Sequence, residues 1–226
     1  MSGILERSVQ LLGEEKISSF ADKTIVVIGI GGVGGTALES LARSGFKRFV
    51  IIDSDKVDVS NLNRQVLFTS KNIGENKVDA AAKRLAEISS EIAVEKIIAK
   101  IGDSRLEDLI KSKPDFIVDA IDFVEGKLHI YEYCLKNNIP FVSSLGMGNR
   151  IDPEKVVLTT LNKTEGDPLA KKIRYEANQR GIDLKNVNVV FSKEVPIIKS
   201  PKPSSMMMVP STAGLLITKY VVSTIK

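Results

Sequence analysis

A glycine-rich stretch, Gly29-Ile30-Gly31-Gly32-Val33-Gly34, lies between an apolar run and the start of a helical pattern. Glycines at such a junction let the backbone approach a phosphate, and the helix N-terminus behind them offers unpaired N–H groups and a favourable dipole. Asp53 ends the next apolar run, where a carboxylate can bind ribose hydroxyls. Taken alone, these residues suit a nicotinamide cofactor as well as any other nucleotide. The residues that follow change the chemistry. Asp55, Asn61, Asn63, Arg64 and Gln65 crowd a polar connection over residues 54–70, Lys77 lies near the start of the next helix, and Asp119 and Asp122 lie at the end of a later strand. Hydride transfer needs no such convergence of cations and acids, whereas splitting ATP does. Cations hold the triphosphate, and a carboxylate holds the magnesium that neutralises it.

Elements that would position these groups alternate along the chain. Apolar runs predict strands at Thr24–Gly29, Phe49–Asp53, Ala93–Ala99, Phe116–Ala120 and Pro140–Ser143. Between them the spacing predicts helices at Val33–Arg43, Asn76–Ile88, Arg105–Lys111 and Glu125–Lys136, after a helical segment from Ile4 to Phe20. Such alternation implies an α/β fold, a Rossmann-like, doubly wound, mostly parallel sheet with right-handed crossovers and an N-terminal helix. Its ligand is expected at the strand ends. After Gly146 the pattern shifts to a strand at Val156–Leu161, a helix at Pro168–Arg180, a strand at Val187–Phe191 and an apolar helix at Thr212–Ile225. Residues 1–226 are therefore read as one unit, with a nucleotide-binding part over 1–150 and a substrate-binding extension over 151–226. Lys199–Ser205 reads as a mobile loop, and Met206–Met208 as core.

Composition narrows the function. Hydrophobic content of 43% and charged content of 27% are those of a globular protein. One cysteine, Cys134, excludes an intrachain disulfide and a four-cysteine zinc site. That thiol lies mid-helix and reads as a small buried group, and the lone histidine, His129, reads as structural, so a nucleophilic triad is set aside. The amino-terminal residues carry charges throughout and lack the uncharged core of a signal peptide, and no stretch reaches membrane-spanning length, so a cytoplasmic location is expected. The net charge of +4 is uneven: residues 151–226 hold twelve basic and seven acidic side chains. A basic back half suits a polyanionic partner, although a lysine-rich solvated surface would look the same.

In order, the glycine loop, the acid-rich strand end, Ser-Asn-Leu-Asn-Arg-Gln, the spaced Lys77 and Asp-Ala-x-Asp resemble the ubiquitin-activating-enzyme-like superfamily of MoeB, ThiF and HesA proteins. The resemblance implies that Gly29, Gly31, Gly32, Gly34 and Asp53 form the nucleotide site with Asp55 and Gln65. It further implies that Asn61, Asn63, Arg64 and Lys77 line the phosphates of ATP, and that Asp122 binds Mg2+ or orients the triphosphate. Arg7 falls where some relatives place an arginine that reaches the neighbouring subunit's ATP, which implies a homodimer. The paired Cys-x-x-Cys ligands and catalytic cysteine of some relatives are missing.

Ile151-Asp152-Pro153 and the stretch from Lys163 through Asp167-Pro168 to Lys171-Lys172-Ile173-Arg174 resemble the tRNA threonylcarbamoyladenosine dehydratases within that superfamily. The implied activity is ATP-dependent activation of the carboxylate of threonylcarbamoyladenosine in tRNA. Its carbamoyl group then attacks the acyl adenylate, a ring closes with loss of water, and AMP and pyrophosphate are released. Lys163, Lys171, Lys172 and Arg174 would grip RNA phosphate. One alternative is adenylation of the C-terminus of a ubiquitin-like sulfur-carrier protein, with a sulfur-transfer or carrier partner in place of RNA. A binding module without ATP turnover, or a nicotinamide dehydrogenase, is the other; Arg64, Lys77 and Asp122 weigh against both.

Overall fold

The computed structural model describes residues 3–102, 105–111, 113–198, 200 and 203–225. Helices α1 (Glu6–Leu12) and α2 (Glu14–Phe20) lead into β1 (Thr24–Ile28). The periodicity over residues 4–20 predicts one helix; Gly13, at φ 85°, divides it, because glycine reaches positive φ without a steric penalty. Then come α3 (Gly32–Arg43), β2 (Arg48–Ile52), α4 (Lys77–Ile88), β3 (Ala93–Ile97) and α5 (Leu106–Leu109). They are followed by β4 (Phe116–Asp119), α6 (Val124–Asn137), β5 (Phe141–Ser144), β6 (Val156–Thr160), α7 (Pro168–Gln179), β7 (Asn188–Ser192) and α8 (Met208–Thr224).

Among the described residues seven strands form one sheet in the order β3-β2-β1-β4-β5-β7-β6. All neighbours pair in parallel except β6 and β7, whose register runs from Val156 opposite Ser192 to Thr160 opposite Asn188. The back half thus extends the same sheet. The central strands are short runs of Ile, Val and Phe because both faces are covered. Ile25, Val27, Ile51 and Val118 face α3, α4 and α8, whereas Val26, Ile28, Ile117 and Val189 face α6 and α7. Helix α8 crosses α3 at close range: a Cβ on Gly214 would stand 2.7 Å from both Thr36 Cβ and Val33 O.

Three expectations need correction. Helix α8 starts at Met208, not Thr212, since Pro210 sits in its first turn, where a missing N–H leaves no intrahelical bond unmade. Met206, Met207 and Met208 are 56%, 45% and 41% exposed, so they are not core. Helix α5 is a single turn rather than the span 105–111. Of the 199–205 segment, Lys199, Pro201 and Lys202 lie outside the described residues. Asn149 binds both backbone groups of Ser204, and Asn63 Nδ2 donates to Ser205 O. No helix among the described residues is long and apolar enough to cross a membrane.

Candidate active site

The carboxyl ends of β1, β2, β4 and β5 open into one cleft of about 950 Å³. It straddles the point where strand order reverses, between β1 and β4, which is where open α/β sheets collect ligands. The glycine loop forms one wall. A Cβ on Gly29 would stand 2.8 Å from Ala120 O, and one on Gly34 1.9 Å from Gly29 O. Only glycine permits β1, the β4 turn and α3 to meet so closely. Gly31 caps α3 without a side-chain hydrogen bond, so the first-turn N–H groups are left for an anion. Asp53 Oδ2 accepts from Ile30 N at 2.7 Å and Oδ1 from Asp55 N at 2.8 Å. The carboxylate therefore shapes the loop, and each oxygen keeps a lone pair for a ribose hydroxyl.

The connection after β2 brings the cations in. Asp58 and Asn61 form a reciprocal capping box that winds residues 59–61 into a 3-10 turn. Asn61 at the end of this turn, and Arg64 and Gln65 just after it, line the cleft. Arg64 Nη1 donates to Ser60 O at 2.7 Å and Asn63 Oδ1 at 3.0 Å, which anchors the guanidinium on its own loop. Gln65 is buried, and its Oε1 has no partner among the described residues, an acceptor suited to a donor from a ligand. Lys77 reaches the cleft from the start of α4 and pairs with Asp55.

Beyond β4, Asp122 is exposed at the cleft wall. Asp119 is not: it is fully buried, 2.9 Å from Lys127 Nζ. Ser143 Oγ donates to Asp119 at 2.6 Å, and Lys127 Nζ and Tyr131 OH both contact Ser143 Oγ. Asp119 Oδ1 also accepts from Ile121 N, holding the turn that carries Asp122. Lys127 was not singled out in the sequence. Neither was Arg150, a buried guanidinium that donates to Gly146 O at 2.8 Å, Gly148 O at 3.1 Å and Glu194 O at 2.9 Å, and pairs with Asp167 at 3.3 Å. It ties the loop after β5, part of the cleft wall, to the N-cap of α7.

Cys134 is buried, and burial, then the charge of Asp119, holds its thiol well above the usual range. It offers no thiolate. His129 is tied to Glu125 at 3.1 Å on α6.

The remaining expected residues lie elsewhere. Gly34, Asn63, Arg7, Lys163, Lys171, Lys172 and Arg174 are not in the cleft lining. Arg7 is exposed on α1, and Lys163, Lys171 and Lys172 are exposed beside and on α7. Arg174 was expected on one exposed face with Lys171; instead it is half-buried, donating to Thr164 O at 2.8 Å and to Thr164 Oγ1. The cleft that results has a helix end without a side-chain cap, three cations in Arg64, Lys77 and Lys100, and two exposed carboxylates in Asp55 and Asp122, a set that suits a triphosphate with a divalent ion. No group of three His, Cys, Asp or Glu side chains among the described residues could hold a metal. An ion would therefore need phosphate oxygens beside Asp122.

The model of the ThiF family matches residues 5–170. A tRNA threonylcarbamoyladenosine dehydratase of Bacillus subtilis is 35% identical, over 96% of this chain and 92% of its own length. The crystal structure of the Escherichia coli tRNA N6-threonylcarbamoyladenosine dehydratase TcdA in complex with AMP is similar at TM-score 0.92 and 34% identity, with 97% of this chain and 92% of that chain covered. The same protein in complex with ATP gives a TM-score of 0.91 over the same shares. The chain thus shares its fold and about a third of its residues with these proteins, and it belongs to the ThiF family.

Proposed function

We propose that this chain is an adenylate-forming tRNA threonylcarbamoyladenosine dehydratase that uses ATP and Mg2+. The observation that carries the reading is the meeting of Arg64, Lys77 and Asp122 around the glycine loop in one cleft. A carboxylate lacks a good leaving group, and transfer of an adenylyl group from ATP supplies one. The α3 N-terminus and Gly31–Gly32 would receive phosphate, and Arg64 and Lys77 would neutralise charge on the departing pyrophosphate. Magnesium, held by Asp122 with phosphate oxygens, would add Lewis-acid stabilisation. The chemistry asks for alignment and charge rather than a protein nucleophile, in agreement with the neutral buried thiol of Cys134.

The basic back half supports tRNA as the substrate, and with tRNA as substrate we read the compartment as the cytoplasm. Arg7, exposed on α1, is available to the nucleotide of a second copy, so we read the active form as a homodimer. Residues 1–226 work as one unit, since β6 and β7 complete the sheet that carries the cleft. Calorimetry with ATP and with NAD tests the nucleotide: ATP should bind in the presence of magnesium and NAD should not. Tight NAD binding without ATP binding would overturn the reading.

A further inference from the structure

Helix α7 exposes one large aromatic among unpaired cations. Tyr175 is 64% exposed, on the side opposite Ala170, Ile173 and Ala177, which bury the helix. At about 100° per residue, Lys171 and Lys172 flank Tyr175 one turn closer to the helix N-terminus. The nearby ion pairs, Arg150 with Asp167 and Arg180 with Glu125 and Glu132, leave both lysines out among the described residues. Leu169, in the first turn, lines the cleft, and Tyr175 stands about 9 Å further along the axis at 1.5 Å per residue. Arg174, which helical spacing groups with the lysines, has turned back to Thr164. The aromatic ring, not the guanidinium, therefore occupies the middle of the exposed face.

Single-stranded RNA is recognised by cations on its phosphates and by aromatic faces under its unstacked bases. We infer that Tyr175, set between Lys171 and Lys172, is a stacking platform for an unpaired base next to the nucleotide that enters the cleft. This inference rests on tRNA being the substrate. A carrier protein would be expected to meet an apolar groove, whereas this face is a single ring between two ammonium groups.

The chain contains no tryptophan, so Tyr175→Trp introduces a sole indole reporter at an exposed position. Titration with an anticodon stem-loop RNA carrying the modified adenosine should quench its emission, with the midpoint matching wild-type filter binding. Tyr175→Phe should bind as wild type. Tyr175→Ala should bind about 5- to 150-fold more weakly, the range of one lost stacking contact, with an unchanged slope of log affinity on log salt. Lys171→Ala with Lys172→Ala should lower that slope instead. Wild-type RNA binding with unquenched emission and an unaffected Tyr175→Ala variant would overturn the platform and leave tRNA as the substrate. Failure of the wild type to bind the RNA at moderate salt would overturn the tRNA reading itself. A Tyr175→Ala defect seen only with a carrier protein would assign the face to a protein partner and overturn the inference.

Discussion

Lys77 Nζ lies 2.8 Å from Asp55 Oδ2, the lysine only 7% exposed and the carboxylate 65%. The backbones also join, Lys77 N donating to Asp55 O at 2.9 Å. A desolvated ammonium is thus kept neutralised by a rim carboxylate that bound phosphates can replace. Asp55→Asn should lower the stability of the nucleotide-free protein by about 1–2 kcal/mol, less than for a fully buried pair because Asp55 is solvated. ATP should then raise Tm by more in the variant than in wild type, since its phosphates restore the missing counter-charge. Differential scanning fluorimetry checks this, and an equal or smaller increment would contradict it.

Asp122→Ala should cut AMP formation by roughly two orders of magnitude or more, the several kcal/mol expected of a lost metal contact. Its Tm should be unchanged, because Asp122 is exposed. Arg64→Ala should also lose turnover, with a small loss of stability from its bonds to Ser60 and Asn63. Near-wild-type AMP release in a folded Asp122→Ala protein would remove that carboxylate from the reaction.

Cys134→Ser should retain activity, and the native thiol should resist alkylation at pH 8. The sign of its linkage is fixed by the raised folded pKa. The contribution of the neutral thiol is fully present below the usual 9.0 and is lost as pH rises above it, because only the unfolded chain then releases the proton. Urea midpoints at pH 8 and 10, compared with Cys134→Ala, should show the extra alkaline loss only in wild type. A more than tenfold activity loss in a stable Cys134→Ser protein would point to a thioester step.

Lys127→Met should destabilise the fold by about 3–5 kcal/mol, because it strands the Asp119 carboxylate in a buried site. Replacing both partners by apolar groups should recover part of the loss. Urea unfolding of the single and double variants measures it, and an unshifted midpoint for Lys127→Met would contradict it.

Much of the cleft is legible in the sequence because its parts are local signals. The glycine loop, Asp53 and Asp122 each follow an apolar run, and Lys77 follows a polar connection too long for a turn. The buried ion pairs are not local. Lys127 reads as any helix lysine, since its partner Asp119 lies on β4, and Arg150 draws its partners from residues 146, 148, 167 and 194. Arg174 shows the limit of helical spacing. The i, i+3 offset sets it beside Lys171, but Thr164, upstream of the helix, decides where its guanidinium goes. The apolar pattern sets the start of the last helix at Thr212, yet α8 begins at Met208, since Pro210 in its first turn is compatible with a helix.

Cyclisation of threonylcarbamoyladenosine is tested most directly by incubating the pure protein with ATP, magnesium and tRNA carrying that nucleoside. AMP is followed as the digested nucleosides are weighed by mass spectrometry. The expected result is AMP release that depends on the modified tRNA, with one AMP for each nucleoside that becomes lighter by one water. AMP release that ignores the tRNA but rises with a ubiquitin-like carrier protein, while the nucleoside mass stays the same, would contradict it.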